Sequence, residues 1–257
     1  MNKRIVRFSK GEVMLTNHRD FGTSFVNVEG IREMGLLSER KIEWVLESEI
    51  LKTVGTELIV RPIIEKDFDV VSGLYRKMVP ELVGTKFDFI YDIEGLKSHV
   101  GIGLTVGKMD RFIYVVESVV EKEIVGMVLL TLDRLNLSIE MNLVTLKPEF
   151  RSIETLRSLY LFIDTMMVKS GVEYGTVTVF TTDLYAPELI EELGWKVRGV
   201  FPGMLLVHHK NDLYYRIHGT VMDKFFGKGI ERLIPEIKLT EKGKEILNLT
   251  ERVMVVR

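Results

Sequence analysis

The chain has 257 residues and 46% hydrophobic content, enough for one large domain with appendages or for two modest domains that each bury a core. It contains 35 Lys and Arg against 37 Asp and Glu, so the formal net charge of -2 gives no electrostatic reason to expect nucleic acid or an anionic membrane as a partner. There is no cysteine, which excludes disulfides, thiolate nucleophiles, Cys-ligated zinc and iron–sulfur clusters, and favours a cytoplasmic protein.

Two further features of the composition concern the working environment. The chain has no glutamine, and Lys, Glu and Arg carry most of its charge, which is typical of thermophilic proteins, although 12 Met residues argue mildly the other way. No stretch approaches the run of about 18 apolar residues that a membrane-spanning helix needs. The basic N-terminus lacks the apolar region of a signal peptide. We therefore expect no membrane partner.

The first 54 residues are predicted to form an N-terminal extension. Residues 4–8 and 12–16 are apolar or alternating around a Ser-Lys-Gly turn, which predicts a short hairpin. Between residues 28 and 54 the apolar positions fall mostly at helical spacing. This pattern predicts one or two helices that end at Gly55.

Strands dominate the following region. Residues 57–62 read as a strand, followed by a helix that begins with acidic residues and reaches about Met78, and by a second helical stretch at 92–104. Three β-branched runs come next and predict an antiparallel meander. These runs are 112–116, 124–132 and 137–146.

The apolar period changes from two to about 3.6 after Pro148. A single apolar face predicts a helix from Ser152 to just before Gly171, and further patterns predict a strand, a helix stopped by Gly194, and a final pair of strands. The face comprises Leu156, Leu159, Tyr160, Ile163, Met166 and Met167, and the later elements are 172–181, 187–193, 197–209 and 213–222. An α+β domain follows from this order.

Four landmarks, in this order and spacing, resemble the GNAT superfamily of N-acetyltransferases over about two-thirds of the chain. They are the strand and helix start at 58–68, the strand and loop LVTLKPEFR at 143–151, the helix and Gly-aromatic turn APELIEELGW at 186–195, and the closing strand pair at 199–222. The resemblance implies a central, mostly antiparallel mixed sheet flanked by helices over residues 55–226. Residues 227–257 would form a C-terminal helical tail that could pack with the N-terminal extension.

The resemblance implies acetyl-coenzyme A (acetyl-CoA) as a co-substrate, with its diphosphate on backbone N–H groups at the start of the helix after the fourth strand. The family pattern there is Arg or Gln, two free positions, Gly, one free position, then Gly or Ala. Residues 151–156 read RSIETL, so only Arg151 matches. Leu156 is bulky where a small residue is expected, and the Glu154 carboxylate would repel phosphate.

Two interpretations of this loop stay open. Ser152 and Glu154 are good capping and first-turn residues, so the helix could satisfy its own N-terminus and bind no anion. Alternatively, Lys147, Arg151 and Arg157 could hold the phosphates with their side chains. The implied cofactor-binding residues are Val144, Thr145, Leu146, Arg151, Ser152, Ile153, Glu154, Thr155, Leu156 and Asp183.

The family also suggests candidates for acid and base catalysis. Glu140 corresponds to the glutamate that several members use as the base, but it could equally be an edge residue paired with a nearby cation. The tyrosine that commonly protonates the thiolate would fall at Ile190, so that acid is absent. Tyr185 is the candidate substitute, with Tyr160 as a second possibility.

Two functions of different class are therefore expected. The first is an acetyl-CoA-dependent N-acetyltransferase acting on a small-molecule amine or on a protein or peptide amine, with the acceptor set by residues 80–93 and the last strand pair. The second is a catalytically inactive GNAT-fold module that binds a ligand or regulates, in which residues 239–247 resemble the closing segment of winged-helix domains. The five histidines are scattered, so we expect no metal. A homodimer is left open.

Overall fold

The structure is a computed structural model, and it describes residues 12–15, 24–27, 41–53, 56–103, 108–180, 185–208, 213–233 and 239–252. The chain divides into two compact units. One unit combines Met1–Glu39 with Lys228–Arg257, and the larger one is Arg40–Gly227.

The described elements are ten strands, five α-helices and several short 3₁₀ turns. The strands are β1 (Glu12–Leu15), β2 (Ser24–Asn27), β3 (Glu49–Thr53), β4 (Thr56–Pro62), β5 (Arg111–Ser118), β6 (Glu123–Asp133), β7 (Ser138–Leu146), β8 (Tyr174–Phe180), β9 (Lys196–His208) and β10 (Tyr214–Phe225). The helices are α1 (Phe68–Met78), α2 (Ile93–His99), α3 (Ile153–Lys169), α4 (Ala186–Glu192) and α5 (Glu241–Arg252). The 3₁₀ turns include Pro80–Leu82, Asp88–Tyr91 and Pro148–Phe150.

The larger unit is built on one eight-stranded sheet with the order β3-β4-β5-β6-β7-β8-β10-β9. Its strand pairs are antiparallel, except that β7 and β8 run parallel. Parallel neighbours need a long crossover, and α3 supplies it. The predicted meander is confirmed as β5, β6 and β7. In the smaller unit, β1 pairs with β2 in an antiparallel hairpin.

The crossover helix α3 follows the apolar pattern that predicted it. Its N-cap is Ser152, and Gly171 after its C-terminus has a φ of 79°, a left-handed conformation that glycine adopts without strain. Buried residues repeat on one face, including Leu156, Leu159 and Ile163. That face packs on the sheet because burying it is worth roughly 1.5–3 kcal/mol per large apolar side chain.

Apolar clusters cover both faces of the sheet. On one face, α3 and α4 pack over residues such as Ile139 and Met141 of β7. On the other, α1, α2 and the two turns before α2 pack over Leu129 and Leu143. The larger unit therefore has three layers, with the sheet in the middle.

The helices predicted between residues 28 and 54 are wrong where the structure describes that region. Residues 41–48 have no regular structure, and β3 is an edge strand that pairs with β4 through Ile50↔Ile59 and Leu51↔Leu58. Residues 41–53 consequently belong to the larger unit. Two features stabilise residues 49–53 as a strand: hydrogen bonding to the edge of β4 and burial of Leu51. The helical spacing of the apolar residues has no capping residue to support it, so the strand is the more stable structure. Of the hairpin predicted nearer the N-terminus, residues 12–15 form β1, while residues 4–8 lie outside the described part.

Candidate functional site

The central feature of the larger unit is a gap between β7 and β8. The two strands pair in register only from Ser138↔Tyr174 to Met141↔Val177. Beyond these pairs they separate and leave a cleft of about 510 Å³. Its lining comprises Lys77, Met78, Val79, Glu81, Met141, Asn142, Leu143, Val144, Thr145, Leu146, Pro148, Arg151, Tyr160, Val177, Thr178, Val179, Phe180 and Ala186.

A β-bulge lies where the gap opens. Leu129 pairs with Leu143 and Leu130 pairs with Met141, so Asn142 is an extra residue on β7. Its side-chain carbonyl accepts a hydrogen bond from the Thr131 hydroxyl at 2.5 Å. A bulge bends and twists its strand, and this one coincides with the point at which β7 leaves β8.

The hydrogen-bond pattern shows which backbone groups of β7 face the cleft. The Lys147 N–H donates to the Val125 carbonyl at 2.8 Å, in continuation of the β6 ladder. Because alternate residues of a strand point their N–H and C=O groups to opposite sides, Thr145 also faces β6. Val144 and Leu146 point their backbone groups towards the gap.

The same parity applies to β8. The Phe226 N–H donates to the Glu173 carbonyl at 3.0 Å, so Val177 and Val179 face β10, and Thr178 and Phe180 face the gap. Within the described part of the chain these cleft-facing groups have no strand partner. They are donors and acceptors that an extended ligand could pair with.

Residues from both faces of the sheet line the cleft. Leu146, Tyr160 and Ala186 belong to the apolar cluster beneath α3 and α4. Met78 and Val79 line the cleft from the opposite face, where they pack on the cluster under α1. The cleft therefore borders both layers of helices.

The first turn of α3, the implied diphosphate site, is closed by its own side chains. The Ser152 hydroxyl accepts from the Thr155 N–H at 3.1 Å, and the Leu156 N–H donates to the Ser152 carbonyl at 3.0 Å. Hydrogen bonds from its own backbone N–H and from the Ser152 hydroxyl keep the pKa of Glu154 below its ordinary value. Ile153 is exposed, whereas Leu156 is buried in the core. Ser152 therefore caps the helix as expected, and Lys147, Arg151 and Arg157 remain the candidates for binding phosphate.

The three cations near this turn have different surroundings. Lys147 forms an ion pair with Glu123, and Arg157 forms one with Glu192 at 2.5 Å. Arg151 alone of the three lines the cleft. Lys147 and Arg157 would thus have to leave an acidic partner before they could hold a phosphate.

The predicted base, Glu140, lies beside the gap and not in it. It is in register with Thr131 on β6 and Thr176 on β8, one residue before the last paired position. Its carboxylate accepts a hydrogen bond from the Lys86 ammonium at 3.0 Å, and its side chain is 39% exposed. Such a half-exposed pair is worth about 0–1 kcal/mol, so an acceptor amine could displace it.

The tyrosine candidates are placed differently. Tyr185 precedes α4 and is 59% exposed, and it is not among the cleft-lining residues. Tyr160 lines the cleft from α3, and Ile190 is buried in the core. Asp183 lies outside the described residues.

Sequence reasoning missed four polar residues of the cleft. Lys77 lines it at the end of α1, Glu81 in the turn that follows and Thr178 on β8, and Asn142 forms the bulge. A signal for Glu81 existed, because it falls in the 80–93 connection that the resemblance assigns to the acceptor. Together with burial, its charge raises the pKa of Tyr91.

The described residues contain neither a metal-binding cluster nor a membrane-spanning helix. Within the described ranges, no group of three or more His, Cys, Asp and Glu side chains could hold a metal ion. None of the described helices has the length and apolar character needed to cross a membrane.

No family model matches the chain, and no curated protein matches its sequence. Many solved structures match it in fold, among them the following three. Spermidine N-acetyltransferase from Vibrio cholerae in complex with CoA and spermine is 16% identical, with a TM-score of 0.53 over 67% of this chain and 98% of that chain. Ribosomal-protein-S5-alanine acetyltransferase from Vibrio fischeri is 16% identical, with a TM-score of 0.51 over 65% and 92%. A probable GNAT-family acetyltransferase from Chromobacterium violaceum is 15% identical, with a TM-score of 0.51 over 75% and 94%.

These matches confirm the predicted architecture. The mixed sheet, the single parallel pair and the flanking helices are the GNAT fold, and this chain has it.

Proposed function

We propose that the larger unit is an N-acetyltransferase that transfers the acetyl group of acetyl-CoA to an amine. The observation that carries the proposal is the cleft between β7 and β8, which is lined by residues from both faces of the sheet. A thioester could enter beside α3 and an amine beside α1, so that the reacting atoms meet in the gap. Fold relatives that acetylate amines, one of them in a complex with CoA, support this assignment.

The donor would be held by strand backbone. The pantetheine arm of CoA carries two amides, and the cleft-facing groups of Val144, Leu146, Thr178 and Phe180 offer complementary donors and acceptors. Apolar side chains in the same lining, such as Val179, would cover the methylene groups of the arm.

The reaction needs one base and one acid. Aminolysis of a thioester requires a base to take a proton from the ammonium acceptor, so that its nitrogen can attack the carbonyl carbon. Glu140, on the face that α1 covers, and Glu81, in the cleft lining, are the two candidate bases. As the C–S bond breaks, an acid must protonate the thiolate. Tyr160 is better placed for this than Tyr185, because it lines the cleft.

The acceptor is proposed to be a small-molecule or peptide amine that enters beside the 3₁₀ turn Pro80–Leu82. Acidic Glu81 supports an amine there. The last strand pair also reaches this region, since Leu205 of β9 packs on the apolar cluster under α1. Exposed apolar side chains of β9 and β10, among them Phe201 and Tyr214, support a homodimer. Composition supports a cytoplasmic, thermophilic protein.

The alternative is a GNAT-fold module that binds a ligand without chemistry. The self-capped start of α3 and the pairing of Glu140 with Lys86 favour it. In that case the cleft would still bind a ligand, but no acetyl group would be transferred.

Calorimetric titration with acetyl-CoA, combined with an acetylation assay on a panel of amines, tests the proposal. We expect saturable binding and release of one CoA thiol per acetylated amine. Binding without turnover on any amine would favour the inactive module. The absence of heat at millimolar acetyl-CoA would end the proposal.

A further inference from the structure

The two parts of the proposed donor site differ in how their backbone groups are satisfied. In the gap, Val144 and Leu146 of β7 and Thr178 and Phe180 of β8 face the cleft without a strand partner in the described part of the chain. These groups are ready to pair with an amide-bearing ligand. The gap has parallel edges on two sides, so such a ligand would lie between two strands.

At the start of α3 one backbone donor is already taken, and a carboxylate stands in the same turn. The Thr155 N–H is held by the Ser152 hydroxyl at 3.1 Å, and Glu154 is exposed. An incoming diphosphate would have to break the Thr155 bond and approach a carboxylate of the same sign. The first turn of α3 thus offers phosphate fewer donors and a less favourable charge than an uncapped helix start.

The cations beside this turn are shared with carboxylates and offer phosphate a weakened site. Lys147 and Arg157 are paired with Glu123 and Glu192, so a phosphate would compete with carboxylates for both. Arg151 lines the cleft, where it could contact one phosphate. A single exposed cation in water adds little and is screened by salt.

We propose, on the basis of the proposed function, that this chain recognises its acyl donor by the pantetheine arm and scarcely by the diphosphate and adenosine. The substrate class is then acyl-pantetheine thioesters in general. A donor that lacks the nucleotide, such as an acyl-phosphopantetheine, is bound nearly as well as acyl-CoA.

Competition calorimetry with CoA, 4′-phosphopantetheine, pantetheine and adenosine 3′,5′-bisphosphate tests this. We expect pantetheine to bind within about tenfold of CoA, which is about 1.4 kcal/mol, and the bisphosphate not to compete. CoA affinity should change little between low and high salt, because few ionic contacts form. CoA binding a hundredfold tighter than pantetheine, or weakening steeply with salt, would overturn the inference and leave the proposed function standing. If no probe binds, the proposed function fails as well.

A variant separates the nucleotide end from the arm. Glu154→Ala removes the carboxylate from the first turn of α3, and it should strengthen CoA binding severalfold while pantetheine binding stays unchanged. Glu188→Ala is the matched control, because Glu188 is an exposed first-turn glutamate of α4. Equal changes for both ligands in Glu154→Ala, or the same gain in Glu188→Ala, would contradict the inference.

Discussion

The proposed donor site has two parts, the gap between β7 and β8 and the first turn of α3. The backbone groups of the gap have no strand partner within the described residues, whereas the helix start caps its own backbone. In the gap, a change of register and the bulge at Asn142 leave N–H and C=O groups facing the cleft. At the helix start, the Ser152 hydroxyl occupies the Thr155 N–H, and Glu154 places an exposed carboxylate in the same turn. A buried backbone N–H or C=O group needs a hydrogen-bond partner. The side chains next to it decide whether that partner comes from the chain itself or from a ligand.

The comparison also shows which part of such a site a substitution can change. A strand gap is fixed by pairing across the whole sheet, so no single substitution restores the pairing between β7 and β8. A helix cap depends on one or two side chains. We therefore expect the gap to be the persistent part of this site and the phosphate cradle the changeable part.

The largest effect should come from the carboxylate beside the gap. Glu140→Gln removes the proposed base, and turnover should fall by about 100-fold or more while CoA affinity stays the same. The acetylation assay and calorimetry together measure this. A fall in affinity that matches the fall in turnover would contradict the role of Glu140 as a base.

Two variants sharpen this test. Lys86→Met breaks the same ion pair but keeps the carboxylate, so it should retain most of the activity. Glu81→Gln removes the other candidate. Loss of turnover in Glu81→Gln, with Glu140→Gln active, would move the base to the turn after α1.

The next effect tests whether the gap itself holds the donor. Thr178 lines the cleft and Thr176 does not, although both are half-buried threonines on the same face of β8. Thr178→Trp should fill the gap and weaken CoA and pantetheine alike by about tenfold or more, equivalent to at least about 1.4 kcal/mol. Thr176→Trp should leave both affinities within about threefold, under about 0.7 kcal/mol. Equal losses in both variants would show that the gap is not the arm site.

Much of the fold could be predicted from the sequence because its signals are local. The periodicity after Ser152 predicted α3, and the three alternating runs predicted β5, β6 and β7. The spacing of Ser152 and Glu154 also indicated a self-capped helix start. These features depend on residues within a turn or a hairpin of one another.

The rest could not be predicted because it depends on distant pairing. The gap begins where Met141 and Val177, 36 positions apart, stop pairing, and the bulge follows from the register between β6 and β7. The strand β3 was misread as helix because its partner, the edge of β4, outweighs the local spacing. Glu81 reaches the cleft only through the packing of α1 on the sheet.

The smallest expected effect tests the helix start. Ser152→Ala removes the cap of the Thr155 N–H and should cost about 0.5–2 kcal/mol of unfolding free energy. For a domain of this size each kcal/mol lowers Tm by about 2–4 °C. Thermal unfolding with and without ligand measures it. Ser158→Ala, in the middle of the same helix, is the control and should change stability by no more than about 0.5 kcal/mol.

The Tm increase that a ligand produces in Ser152→Ala also tests the difference between the gap and the helix start. The freed Thr155 N–H could donate a hydrogen bond to a phosphate oxygen, so the Tm increase produced by CoA should be larger in Ser152→Ala than in the natural sequence. The increase produced by pantetheine should be the same in both, because the arm does not reach the first turn of α3. If CoA and pantetheine stabilise the two proteins by identical amounts, the helix start lies outside the donor site altogether, and the hydroxyl of Ser152 serves stability alone.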